Sequence, residues 1–257
     1  MSIDGLLLDM DGVLTVSWEP LSGAVETVAR LHARRVPMRV MTNTTSKSRS
    51  AIAAELRRSG FEFADDEVLT AAVTASEFLR EAYPDARVFL LGDARPEDLD
   101  GVHLVALDED PDVVLVSGAD PSFNFETLNG VLRVLLGGAS LVAMHRTLTW
   151  MTREGECLDA GAYLPGLEQA TGQAAAITGK PARAFFDAGL RSLGLPAGRV
   201  AMVGDDVVND VLGAQSAGIT GVLVRTGKFR EDSLARAGAA PDHVIDSVAG
   251  VLGLLED

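Results

Sequence analysis

Two aspartates, Asp9 and Asp11, stand one residue apart at the end of the apolar run "LLLDMDGVL", in a chain of 257 residues. Side chains at i and i+2 share a face of an extended strand, so both carboxylates are expected on one side. At about 4 Å they would repel by roughly 4 kcal/mol at an effective dielectric near 20, so a positive group is expected beside them. Asp and Gly are also common turn residues, which accounts for one of the two acids but not for both.

Ligands of open parallel sheets sit at the carboxyl ends of the strands. The residues that follow the other strand-like segments are Thr42 and Asn43 after "MRVMT", Lys180 after "AAAIT", and Asp205 and Asp206 after "RVAMV", with Asp210 farther on. Asp9, Asp11 and Asp205 offer the carboxylate donors that a hard cation such as Mg²⁺ prefers. Thr42, Asn43, Lys180 and the N–H groups of the turn after Asp9 would then surround a phosphoryl group, whose transfer rests on positioning and charge stabilisation. An aspartate can be the nucleophile through an aspartyl-phosphate. Each residue also has a plain reading: Thr42 and Asn43 as helix caps, Lys180 as a solvent lysine, Asp205 and Asp206 as a turn. Together those readings require four separate coincidences. Lys180 is one of three lysines among 22 basic residues, and arginine does not replace a compact ammonium.

These residues must be positioned by an α/β fold. Apolar runs of strand length alternate with segments of helical period, which argues for a doubly wound, Rossmann-like parallel sheet. "IDGLLLD" precedes a helix capped at Ser22, and "MRVMT" precedes one opening at Ser46 and closing at Gly60. The same alternation returns in "AAAIT", "PARAFFDAGLRSLG", "RVAMVGD", "DVVNDVLGAQSAG", "TGVLV" and "DHVID". Residues 44–179 separate Asn43 from Lys180, whereas a strand-helix-strand crossover needs only about 30. The sequence therefore predicts a smaller α/β domain at 83–174, inserted between core segments 1–82 and 175–257.

Composition narrows the function. A net charge of −15 opposes nucleic-acid binding, and a single cysteine, Cys157, rules out an intrachain disulfide. No secretion signal or bilayer-length apolar run is seen, so a cytoplasmic protein without membrane partners is expected. The four histidines show no metal-ligand spacing and no GxSxG elbow occurs, which argues against histidine-bound zinc and serine hydrolysis. "VRTGKF" lacks the spacing of a P-loop and reads as a loop after a strand.

Taken in order, "DMDGVL", "VMTNTT", "TGKP" and "MVGDDVVNDV" resemble the four motifs of the haloacid dehalogenase-like (HAD) hydrolase superfamily. The insertion resembles the C2-type cap of subfamily IIA, the NagD-type phosphatases. "TNTTSKSR", "GKP", "GDD", "GAQ" and "VRTGKFR" are similar to the branch of phospholysine phosphohistidine inorganic pyrophosphate phosphatase and the HAD-like hydrolase domain-containing proteins. The resemblance implies a Mg²⁺-dependent phosphatase acting on a small phosphorylated substrate: an ester, a phosphoramidate or a pyrophosphate. It makes Asp9 the nucleophile and Asp11 the general acid and base. Thr42, Asn43 and Lys180 become the phosphoryl site, and Asp9, the Asp11 carbonyl and Asp205 the metal ligands. Asp206 or Asp210 is left to orient waters or Lys180.

The alternative reading is a phospho-accepting regulatory protein or a catalytically silent binding protein on the same fold. Against the first, Thr42 and Asn43 stand where a receiver would carry its acceptor aspartate; against the second, every catalytic residue type is present. Substrate choice would fall to the insertion, where His145, Arg146, Trp150 and Arg153 form a cationic and aromatic set; Trp18, after the first motif, is similarly ambiguous. A homodimer formed through the insertion is compatible with the sequence, although no residue pattern specifies it.

Overall fold

Leu6, Leu7 and Leu8 are fully buried, because the Gly5–Asp9 strand lies inside a sheet covered on both faces. The computed structural model describes residues 2–152 and 155–255. In its first sheet the strand order is His243–Ile245, Thr220–Val224, Val200–Gly204, Gly5–Asp9, Met38–Thr42, Val68–Thr70. Gly5–Asp9 pairs in parallel with both neighbours, Leu7 standing opposite Met202 on one side and Arg39 on the other. Chain order therefore reverses at this strand, as in a doubly wound sheet, and Asp9 leaves it at the switch point.

Helix Arg183–Leu193 packs closely on this sheet at Gly189, where an added Cβ would come within 3.0 Å of Leu7. The charged Arg39 is accommodated by donating from Nε to Ser192 Oγ at 2.6 Å and from its guanidinium to Ser192 O at 2.8 Å. The helix and the strand beneath it are thus tied by polar contacts as well as apolar ones.

The chain divides into two compact units: residues 1–42, 49–69 and 180–257, and residues 43–48 and 70–179. In the second, the parallel sheet runs Ala176–Ile177, Ser140–Ala143, Val113–Val116, Arg87–Leu91, His103–Leu104. This unit is wider than the 83–174 read from sequence, for two physical reasons. Helix Ala71–Ala82 buries Ala71, Ala72, Ala75 and Leu79 with Val88, Val113, Leu115 and Val142 of the second sheet. "AAAIT", expected in the first sheet, pairs instead with Ser140–Ala143, Ala176 opposite Val142.

Helix starts also differ from expectation. The first helix, Ala24–Ala33, is preceded by Gly23 at φ 75° rather than capped by Ser22, and the second spans Arg49–Arg58. No helix among the described residues is long and apolar enough to cross a membrane.

Candidate active site

At the switch point Asp9 is buried, and its Oδ1 accepts a 2.5 Å hydrogen bond from Lys180 Nζ. The same ammonium lies 2.7 Å from Asp210 Oδ1 and donates to Met41 O at 3.1 Å. Lys180 precedes helix Arg183–Leu193, and Asp210 lies on a helical turn of π type, Val207–Leu212. The positive group required beside the aspartates is thus present, and it is shared between Asp9 and Asp210.

Asp11 lies beyond the end of the strand, close enough to Asp9 and Lys180 to interact electrostatically with both. The strand ends at Asp9, and Gly12, at φ 83°, turns the chain so that its N–H donates to Thr15 O at 2.7 Å; the Asp11 side chain is exposed. The strand whose extended geometry the i, i+2 spacing assumes stops two residues before Asp11.

One oxygen each from Asp9, Asp205 and Asp210 can be chosen so that all lie within 4.8 Å of one another. The cluster holds Asp9 and Asp205, two of the residues expected to hold a metal, together with Asp210. Asp205 Oδ2 accepts from the Lys228 N–H at 2.7 Å, whereas the buried Asp205 Oδ1 has no hydrogen-bond partner. An oxygen-only donor set with an orphaned carboxylate oxygen fits a hard divalent cation. Asp206 Oδ1 caps the turn by accepting from the N–H groups of Val208 and Asn209 at 3.0 and 2.9 Å. Asp210 is the residue that meets Lys180.

Burial pushes the Asp9 carboxyl up to about 6, against the opposing pull of Lys180 and with the support of Asp205. Asp210 rises to about 6 through burial, again opposed by Lys180, and Asp205 rises to about 6 through burial opposed by the Lys228 N–H. Partial desolvation raises the Asp11 carboxyl, with Lys228 and then Lys180 holding it down. Burial alone would lower Lys180, but Asp210 and Asp9 reverse that effect and hold it charged.

Thr42 is buried at the end of the Met38–Thr42 strand. Asn43 belongs to the second unit, where its Oδ1 lies against Gly179; a Cβ added there would approach it to 2.6 Å. Among the residues expected to choose substrate, His145 is buried, receives the Thr147 N–H on Nδ1 at 3.3 Å, and lies 4.0 Å from Asp159 through Nε2. Arg146 is paired with Glu168, Trp150 is half exposed, and Arg153 lies outside the described residues. Trp18 packs against the core of the first unit.

The segment that sequence reasoning missed is "VRTGKF". Thr226 Oγ1 donates to Gly12 O at 2.5 Å, and Lys228 supplies the N–H that holds Asp205. The signal was available, because the segment directly follows the Thr220–Val224 strand and strand ends face the crevice.

A doubly wound sheet that buries a lysine between carboxylates at its switch point is compatible with phosphoryl-transfer chemistry. The haloacid dehalogenase-like hydrolase model matches residues 6–102, and a HAD-hydrolase-like model matches 177–251. Haloacid dehalogenase-like hydrolase domain-containing protein 2 of Bos taurus is 34% identical over 254 residues, covering 96% of each chain. Phospholysine phosphohistidine inorganic pyrophosphate phosphatase of Homo sapiens is 34% identical over 260 residues, covering 98% of this chain and 94% of that one. The structure of p-nitrophenyl phosphatase from Archaeoglobus fulgidus superposes with a TM-score of 0.91 at 30% identity, covering 98% of this chain and 99% of that one. The chain belongs to the haloacid dehalogenase-like hydrolase family, in subfamily IIA near the branch of these two relatives, and is a phosphatase.

Proposed function

We propose that this phosphatase is Mg²⁺-dependent and cleaves a small phosphorylated metabolite, an ester, phosphoramidate or pyrophosphate, through a phosphoaspartate on Asp9. The observation that carries the reading is the buried Lys180 ammonium shared by Asp9 and Asp210, beside the orphaned Asp205 oxygen. The phosphoramidate and pyrophosphate classes are supported by the likeness to the human phospholysine phosphohistidine inorganic pyrophosphate phosphatase, and the ester class by the likeness to the nitrophenyl phosphatase. We assign the second unit as a C2-type cap.

Asp9 attacks phosphorus, and the bond from phosphorus to the leaving group breaks as the Asp11 carboxyl delivers its proton to the leaving atom. Asp11, now ionised, takes a proton from water as that water attacks the phosphoaspartate; the bond between phosphorus and Asp9 breaks, releasing phosphate and restoring both residues. The raised proton affinity of Asp11 suits the first half of this cycle. Thr42, Asn43 and Lys180 bind the phosphoryl oxygens, and Lys180 also balances the charge of Asp9. Asp9, Asp205 and the Asp11 carbonyl would hold the cation, with Asp210 fixing Lys180. Bound there, Mg²⁺ would supply charge neutralisation to the carboxylates and the phosphoryl group.

The test is phosphate release from p-nitrophenyl phosphate with Mg²⁺, with EDTA, and by the Asp9→Asn and Asp11→Asn proteins. Metal-dependent turnover lost in both variants is the expected result. Absence of turnover on this compound and on a panel of natural phosphates, with Mg²⁺ bound, would favour the regulatory or silent reading.

A further inference from the structure

Asp205 Oδ2 is enclosed by backbone from two distant segments. Gly12 at φ 83° and Gly227 at φ 61° flank it, and a Cβ built on either would come within 2.0 Å of that oxygen. The two glycines also press on each other, since a Cβ on Gly227 would reach Gly12 Cα at 2.6 Å. Only residues without a side chain fit both the positive φ and the space. On either side of Gly227 the loop is fastened at both ends of this contact: Thr226 Oγ1 donates to Gly12 O at 2.5 Å, and the Lys228 N–H donates to Asp205 Oδ2 at 2.7 Å.

We propose that the Thr226–Gly227–Lys228 loop is a positioning element for the metal centre, fixing the Asp205 carboxylate through Oδ2 so that Oδ1 alone is presented to the cation. The inference rests on the metal reading of the site given above. It accounts for the asymmetry of Asp205, one oxygen clasped by glycines and an N–H and the other buried without a partner. Partners that orient a metal ligand act through that ligand's geometry, and losing one typically weakens metal binding by about 10- to 100-fold.

Mg²⁺ titrations of the full-length protein, followed by calorimetry and by melting temperature, test this without reference to turnover. Gly227→Ala, whose Cβ displaces Oδ2, should raise the half-saturating Mg²⁺ concentration by at least tenfold. Thr226→Val, which keeps the shape and removes only the bond to Gly12, should raise it several-fold, and Thr226→Ser should restore it. Should Gly227→Ala fail to fold, the Thr226 pair carries the test. Asp205→Asn separates the two readings. If Asp205→Asn abolishes Mg²⁺ binding while the loop variants bind as the wild type does, the loop proposal is overturned and the metal site stands. If Asp205→Asn binds Mg²⁺ as well as the wild type, the metal reading falls and the loop proposal falls with it.

Discussion

Lys180 Nζ lies 2.7 Å from Asp210 Oδ1 while donating to Asp9 Oδ1 at 2.5 Å, so one buried ammonium is shared by carboxylates from two segments far apart in sequence. Removing one partner of a buried ion pair leaves the other charge uncompensated, at a cost of about 3–5 kcal/mol. Lys180→Met should therefore lose that much stability at pH 7.5, measured by urea unfolding, and also lose activity. At pH 5 the loss should shrink, because the unpaired carboxyls can take up protons. An equal loss at both pH values would contradict this account.

Asp9→Asn should behave in the opposite way. Burial raises the Asp9 carboxyl to about 6, so at pH 7.5 its charge is held against a preference for neutrality, and the amide removes that conflict while Asp210 keeps Lys180 paired. Phosphatase activity should fall by more than about a thousandfold, as for loss of a nucleophile. The melting temperature of the metal-free protein should be unchanged or higher. A clearly lower melting temperature would mean that the contact with Lys180 outweighs the burial of charge.

The strand ends of the first sheet were legible in the sequence because buried parallel strands read as apolar runs, and the residue after each run is placed by topology alone. Asp9, Thr42 and Asp205 stand at or directly after those strand ends. The partner of Lys180 was not fixed, because the choice between Asp206 and Asp210 depends on how the chain turns after Gly204, and Asp206 is taken by the N–H groups of Val208 and Asn209. Ala176–Ile177 was assigned to the wrong sheet because a short apolar run carries no record of its neighbour. The Thr226–Lys228 loop is legible as a segment that follows a strand, but its particular contacts are made by backbone and one hydroxyl, groups that leave little trace in residue type.

Gly204 ends its strand against Asp210, and a Cβ there would fall 2.2 Å from the Asp210 Cβ. Gly204→Ala should push Asp210 away from Lys180, destabilise the protein by about 1–3 kcal/mol as overpacking does, and reduce activity. Gly198→Ala is the control, since nothing lies within 4 Å of its added Cβ; its stability should stay within about 0.5 kcal/mol of wild type. Equal unfolding midpoints for the two variants would show that the site yields at Gly204 without cost.

Asp9, Asp205 and Asp210 each rise from 3.8 toward about 6 on folding, so between those pH values the native state holds more protons than the unfolded chain. Stability from these groups is therefore fully present below pH 3.8 and is lost as pH rises through 6. Lys180, held charged by Asp210 and Asp9, titrates far above this window and does not change the sign. A divalent cation must displace the same protons, and a carboxyl of pKa near 6 costs it about tenfold in affinity at pH 5 for each proton displaced. Added Mg²⁺ should thus raise the melting temperature more at pH 7.5 than at pH 5, and the metal-free protein should melt higher at pH 5 than at pH 7.5. Differential scanning calorimetry with EDTA and with saturating Mg²⁺ at both pH values measures all four states. If the gain from Mg²⁺ is the same at both, the cation does not bind through these carboxylates.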